Sequence, residues 1–301
     1  MRTLISGATG MVGSALVESL HTKGHSIRCL QRNKKPGAES IWLTENLFDS
    51  NSGSNEPFDT VIHLAGENIA DGRWTAAKKR RIKNSRVEGT KELVDYLSGL
   101  PHKPKTFICA SAIGYYGNRG DQVVSEKSPA GDGFLASVCK EWEAEASKAA
   151  FFGARVVLLR FGMVLSPNGG ALAKMLPPFK AGFGGTIGNG KQYMSWISIR
   201  DLIEVIDFSI NNESLSGPVN AVTPKAVTNK DFTTQLADVL DKPARFPVPP
   251  FGLKLLFGEM AGEMLLSSTR VRPERLMASG YNYRDTNLKE TLNWCIHGEQ
   301  S

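Results

Sequence analysis

Arg2-Thr3-Leu4-Ile5-Ser6-Gly7-Ala8-Thr9-Gly10-Met11-Val12-Gly13 is the stretch that decides the fold. A short apolar run ends in glycines at GxxGxxG spacing, and Val12, Leu16 and Leu20 then recur every four residues. The first part reads as a strand, Arg2–Ser6, and the second as a helix, Met11–Thr22, with Gly24 as its terminator. Glycines between a strand and a helix let the backbone turn tightly and approach a pyrophosphate. The helix start then offers free amides and the positive end of its dipole. Alone the pattern is weak; the strand before it and the helix after it give it weight. Gly7, Thr9, Gly10, Met11, Val12 and Gly13 are therefore assigned to a dinucleotide.

Working outward, a second strand, Ser26–Gln31, runs into Arg32, Asn33, Lys34 and Lys35. An acid at this point would take a ribose 2′-hydroxyl; here there is none. Gln31 and Arg32, with Lys34 or Lys35 nearby, suit a 2′-phosphate instead, so the expected cofactor is NADP(H). Thr60–Ala65, Lys105–Ser111 and Arg155–Phe161 are further apolar runs, with helical patterns between them. That alternation implies a parallel sheet covered on both faces, an α/β, Rossmann-type doubly wound fold. After about residue 166 the character changes. Pro167–Gly190 is rich in glycine and proline and reads as loop. Leu202–Ile210, Val227–Leu240 and Asn287–Leu292 read as helical, and Pro243–Pro250 as an extended linker. The expected layout is a nucleotide-binding domain over 1–165, with 191–222 returning to it, and a smaller substrate-capping lobe from 166–190 and 223–301.

The 301 residues are 41% hydrophobic and 22% charged, enough for a sizeable core and unlike a disordered chain. A net charge of +6 suits phosphate-bearing ligands but does not call for nucleic acid. Lys78-Lys79-Arg80-Arg81-Ile82-Lys83 reads as a solvated helix face, with Arg81 and the later Arg86 as exceptions. Cys29, Cys109, Cys139 and Cys295 form no CxxC pair and no metal spacing, so reduced thiols and no metal are expected. There is no signal-peptide core and no run long enough to span a bilayer. The expectation is a cytoplasmic protein with a small-molecule substrate and neither a nucleic-acid nor a membrane partner.

Taken in order, GATGMVG, VIHLAGENIADGRW, SRVEGT, SAIGYYG, LLRFGMVLS and GNGKQYMSWISIRD resemble one family over nearly the whole chain. It is the atypical extended short-chain dehydrogenase/reductases, epimerase-like proteins that carry labels such as nucleoside-diphosphate-sugar epimerase or cell division inhibitor SulA-like. Gly262-Glu263, Arg270-Val271-Arg272-Pro273 and Gly280-Tyr281-Asn282-Tyr283 resemble the C-terminal domain of unknown function that ends this family, here about 248–296. The resemblance implies that Leu64, Ala65 and Gly66 line the cofactor's path and that Glu67 begins the active-site side of the loop. It implies a cofactor contact at Arg86, with Arg81 nearby, and places Val164 at the nicotinamide amide. Gln192 and Trp196 fall in the stretch that meets substrate in sugar-nucleotide epimerases, and Asp201 at its end reads as a cap of the following helix. A homodimer is expected by analogy with the wider superfamily alone.

Members normally use Ser, Tyr and Lys, the last two as YxxxK, with the tyrosine as general acid or base. Ser111 matches the serine and Lys140 can supply the lysine, but Ala136 stands four residues before it. Tyr115 or Tyr116, from the loop after Ser111, could present a phenol in its place; Cys139 is another substitute acid. His63, inside a strand, reads as packed. Two functions follow: an NADP(H)-dependent oxidoreductase or epimerase on a small polar substrate such as a nucleotide sugar, or a non-catalytic NADP(H)-binding redox sensor.

Overall fold

The computed structural model describes residues 1–32, 42–46 and 57–298, with the side chains of 31, 32 and 42–46 left out. Leu4, Ile5, Val61, Ile62, Phe107, Ile108, Val157 and Leu159 are all fully or almost fully buried. Both faces of their strands must therefore be covered, and the chain order shows how. It begins β1 (Arg2–Ser6), α1 (Met11–Thr22), β2 (Ser26–Arg32) and β3 (Trp42–Asn46). It continues β4 (Thr60–His63), α2 (Ala76–Gly99), β5 (Thr106–Ala112), β6 (Val123–Val124), α3 (Phe134–Ser147) and β7 (Arg155–Phe161). Then come β8 (Met163–Ser166), α4 (Gly170–Lys180), β9 (Tyr193–Met194), β10 (Trp196–Ser198), α5 (Ile199–Asn211) and β11 (Gly217–Ala221). The described chain closes with β12 (Val227–Thr228), α6 (Asn229–Leu240), α7 (Pro250–Phe257), β13 (Arg270–Val271), α8 (Glu274–Ala278) and α9 (Leu288–His297).

The main sheet runs β11-β7-β5-β4-β1-β2-β3. Six strands are parallel, and β3 pairs antiparallel with β2 at the edge. This is a Rossmann-like doubly wound sheet. On one face α1 and α5 bring Leu16, Val17, Leu20, Leu202, Val205 and Ile206 onto the strands. On the other, α2 and α3 bring Val87, Leu93, Val94, Leu97, Trp142 and Ala146. Each such side chain contributes roughly 1.5–3 kcal/mol of burial. From β1 the chain winds outward through β2 and β3, then starts again on the other side with β4. The strand order reverses between β1 and β4, where a crevice opens at their C-terminal ends.

Three local departures from the sequence reading have physical reasons. Pro167–Gly190 is not all loop: α4 occupies Gly170–Lys180 with Pro177 and Pro178 inside it. Ala171-Leu172-Ala173-Lys174-Met175-Leu176 are strong helix formers, and buried Leu172 and Phe179 hold the helix to a third core around Trp196, Phe232 and Leu292. The linker ends in α7, started by Pro250, whose fixed φ suits a first helical position. Asp201, whose sequence place suggests a cap, leaves that job to Ser198, which accepts from the Asp201 amide at 3.0 Å. The buried Asp201 carboxylate instead accepts from the Tyr281 hydroxyl and from the Arg284 and Asp285 amides at 3.0, 2.9 and 2.8 Å. It ties the Tyr281–Asp285 stretch to the start of α5.

Candidate active site

The turn after β1 is built for close approach. Gly7 sits at φ +75°, and a Cβ there would lie 2.8 Å from the Ala65 nitrogen and the Leu64 carbonyl carbon. At Gly13 a Cβ would strike the Gly7 carbonyl oxygen. No other residue fits either place without moving backbone. Gly10 is the cap residue of α1, and among the described residues no side chain caps that helix. Its first-turn amides are left without a side-chain partner among the described residues, the arrangement that seats a phosphate. Thr9 and Gly10 are exposed, and Met11 and Val12 half-buried. Across the crevice Gly169 caps α4, also with no side-chain cap, and a Cβ at Gly170 would lie 3.0 Å from the Met11 sulfur. A dinucleotide fits this cradle by its shape and its unmatched donors.

The second wall follows β4. Leu64 donates to the Ser6 carbonyl at 3.0 Å, which holds Ala65 and Gly66 beside the glycine turn. The Arg86 guanidinium lies against Gly66: a Cβ there would be 3.1 Å from its central carbon. Arg86 donates to the Glu67 and Ile82 carbonyls at 3.0 and 3.3 Å and stacks over Trp142, with no carboxylate bound to it among the described residues. Burial pulls its pKa below the usual guanidinium value. Glu67 takes 2.7 Å and 3.3 Å contacts from Lys78 and Arg81, and the Lys78 hydrogen bond holds its carboxyl below the usual range. In the basic run it is Lys78 that leaves solvent, while Arg81 stays 59% exposed.

Beneath the crevice lies a buried polar chain. Ser111 donates to Glu143 at 2.6 Å. Arg160 grips both Glu143 oxygens at 2.7 Å and donates to the Tyr116 hydroxyl at 2.9 Å. Tyr116 in turn donates to Asn220 at 2.7 Å. Burial opposes the Arg160 charge, but the Glu143 carboxylate outweighs it and raises that pKa. Burial pushes the Tyr116 phenol up to about 12 in spite of Arg160. Tyr115 differs from its neighbour. The Arg160 guanidinium lies 3.4 Å from its ring centre, yet its hydroxyl makes no hydrogen bond among the described residues and it is only half-buried.

These features match known proteins. A model described as NAD dependent epimerase/dehydratase family matches residues 3–221. The chain belongs to the NAD dependent epimerase/dehydratase family. A second model, a domain of unknown function (DUF1731), matches residues 248–295. An epimerase family protein of Mycobacterium bovis is 39% identical over 292 residues, covering 96% of each chain. The crystal structure of human epimerase family protein SDR39U1 with NADPH superposes with a TM-score of 0.88 at 30% identity, covering 99% of this chain and 100% of that one. Thermus thermophilus UDP-glucose 4-epimerase, solved with NAD, shares the fold, with a TM-score of 0.74 at 19% identity over 99% and 98% of the two chains.

In this epimerase family member, Gly7 meets Leu64 and Ala65, Gly13 packs on the Gly7 carbonyl beside Gly10, and Gly66 and Glu67 meet Arg86. Val164 lies half-buried on β8, paired with Ile197 of β10. Gln31 and Arg32 end β2, but their side chains, and all of Asn33, Lys34 and Lys35, lie outside the described residues. Lys140 is exposed on α3. The α3 face turned to the strand ends carries Leu135, Cys139 and Glu143: a Cβ at Gly114 would lie 3.3 Å from Leu135 and 3.9 Å from the Cys139 sulfur. Burial raises the Cys139 thiol to about 12. Gln192 donates to the Ile187 and Leu265 carbonyls at 3.1 and 3.4 Å. Trp196 is buried inside the third core, its indole nitrogen without a partner among the described residues. His63 is packed, bonded to Ser6 at 2.5 Å and Thr90 at 3.0 Å. Sequence reasoning missed Glu143 and Arg160; the one visible signal, for Arg160, was a charge next to the end of an otherwise apolar run in Arg155–Phe161. It also missed Glu263, which accepts from the Phe134 and Leu135 amides at 3.2 Å and so fills the start of α3. Among the described residues no helix is long and apolar enough to cross a membrane, and no acid, cysteine and histidine cluster could hold a metal.

Proposed function

We propose that the chain binds NADP(H) in the crevice between β1 and β4 and acts as an oxidoreductase on a small molecule. The observation that carries this is the glycine cradle with its uncapped helix start, in a chain similar to a human protein solved with NADPH. The phosphates would meet the first-turn amides of α1, and Arg32 the 2′-phosphate. When bound, the nicotinamide supplies or accepts a hydride. The protein's part is to hold the reacting oxygen and move a proton. Tyr115 is the candidate for that proton, because its hydroxyl is free, whereas Ser111 and Tyr116 are engaged by Glu143, Arg160 and Asn220. Residues 166–190 and those after 222 would cap the substrate, and the setting would be cytoplasmic.

A second reading, a redox sensor without turnover, is favoured by the same engagement and by the lack of a tyrosine on the α3 face at the strand ends, which carries Leu135, Cys139 and Glu143. Calorimetric titration of wild type and Arg32→Ala with NADPH and NADH tests the binding. The expected result is tight NADPH binding by wild type, with most of the preference over NADH lost in Arg32→Ala. No binding of either nucleotide sinks both readings. Turnover that survives Tyr115→Phe removes Tyr115 from the chemistry.

A further inference from the structure

Contacts beyond the cofactor crevice tie several segments together. Lys174 of α4 reaches the Ala70 carbonyl at 2.7 Å and Asp71 at 2.5 Å. Gln192, beside β9, donates to Leu265. Glu263, one residue before Met264, holds the first amides of α3, and the Leu135 side chain lies against Gly114, next to Tyr115. Half-buried side chains on the segments these contacts join include Ile69, Leu135, Met175, Met194, Met264 and Tyr115. Ile69, Leu135 and Met264 pack in one cluster with Trp74 and Met260. Met175 and Met194 pack on the core around Trp196.

The charged groups interspersed with them have partners in the chain itself: Lys174 pairs with Asp71 at the surface, Glu263 with the α3 amides, and Glu67 with Lys78. A nucleotide sugar carries a diphosphate, which needs cations or clustered amides where it is desolvated. Three thioethers and two aliphatic side chains offer neither. They do offer an adaptable apolar wall. Arg270, exposed over the Tyr193 ring at 4.6 Å, is a cation beside β9 that a diphosphate could use, and so serves as the control.

We propose that the substrate of this site is a small apolar carbonyl compound, such as an aromatic aldehyde or a quinone, and not a nucleotide sugar. The inference rests on the NADP(H)-dependent reading above. In the reduction the carbonyl carbon gains the hydride from the dihydronicotinamide and its oxygen gains a proton from Tyr115, which recovers one from water. NADPH leaves as NADP+, oxidised by two electrons.

The test is calorimetric titration of the wild-type protein saturated with NADP+, using cinnamaldehyde, menadione and UDP-glucose as probes. Binding of either apolar carbonyl, weakened about tenfold or more in both Met264→Glu and Met175→Glu and unchanged in Arg270→Ala, supports the proposal. Two variants on separate elements guard against local misfolding. Binding of UDP-glucose that Arg270→Ala weakens overturns it, as does binding of neither class to the loaded protein. If the wild type fails to take up NADPH or NADP+, the earlier reading falls first and this one with it.

Discussion

Helices α1 and α3 begin alike and are used in opposite ways. Each starts on a glycine, Gly10 or Gly133, that offers no side chain as a cap. At α3 the gap is filled from within: Glu263, 128–129 positions away, accepts from two first-turn amides. At α1 nothing among the described residues fills it. A carboxylate and a phosphate satisfy the same amides and the same dipole. The local signature of an anion seat therefore does not say whose anion takes it. Tyr115 and Tyr116 repeat the contrast one residue apart, one hydroxyl free and the other locked between Arg160 and Asn220.

The strongest way to break the comparison is to give α1 the acid that α3 already has. Gly10 lies at φ −76°, ψ 167°, ordinary cap geometry, and a Cβ would sit 3.4 Å from the Gly7 oxygen, an ordinary contact. Gly10→Asp should fold, with stability changed by a few tenths of a kcal/mol at most. NADPH affinity should fall by about a hundredfold or more, since a carboxylate then occupies the phosphate seat. Unchanged affinity in calorimetry would show that the phosphates bind elsewhere.

The second effect concerns the locked tyrosine. Its folded pKa, about 12, lies above the unfolded value of about 10. Its contribution is therefore intact below pH ~10 and is lost as pH rises from there toward 12, to a limit of about 2–3 kcal/mol. Urea denaturation across that window should show stability falling, with a shallower fall in Tyr116→Phe. Some slope should remain, because burial also raises Tyr281 and Tyr283. An identical slope in the variant would mean that Tyr116 is not held as described. The smallest effect is Glu263→Gln, which keeps a hydrogen-bonding oxygen but loses the charge. It should cost about 1 kcal/mol in thermal or urea melts and leave NADPH affinity within twofold.

The central strands were legible because a strand buried on both faces carries a continuous apolar run, as Leu4-Ile5 of β1, Phe107–Ala110 of β5 and Val156–Leu159 of β7 do. The glycine turn was legible because Gly7 and Gly13 have no room for a Cβ. α4 was hidden by Pro177 and Pro178, which look like loop when Leu172 and Phe179 are not seen gripping the core. The polar chain was hidden for another reason. Ser111, Glu143, Arg160 and Asn220 lie far apart in sequence, and only the strand order brings them together. Lys140 fits the YxxxK spacing when Ala136 is taken as the tyrosine position, yet the face of α3 at the strand ends carries Leu135, Cys139 and Glu143. A one-residue difference in helical register separates the two assignments.

The pairing of β6 with β13 has a consequence for synthesis. Val123 and Val124 line up with Arg270 and Val271, which leave the ribosome almost 150 residues later. Glu126 likewise waits for the amides of Asn220, Glu274 and Arg275, and the start of α3 waits for Glu263. While translation proceeds, the nucleotide-binding sheet can form while the separate β6 strand and the first α3 amides stay open to water or to a chaperone. Completion of the site thus waits for residue 263 to emerge, and a ribosome stalled before it would carry a sheet without a closed active site.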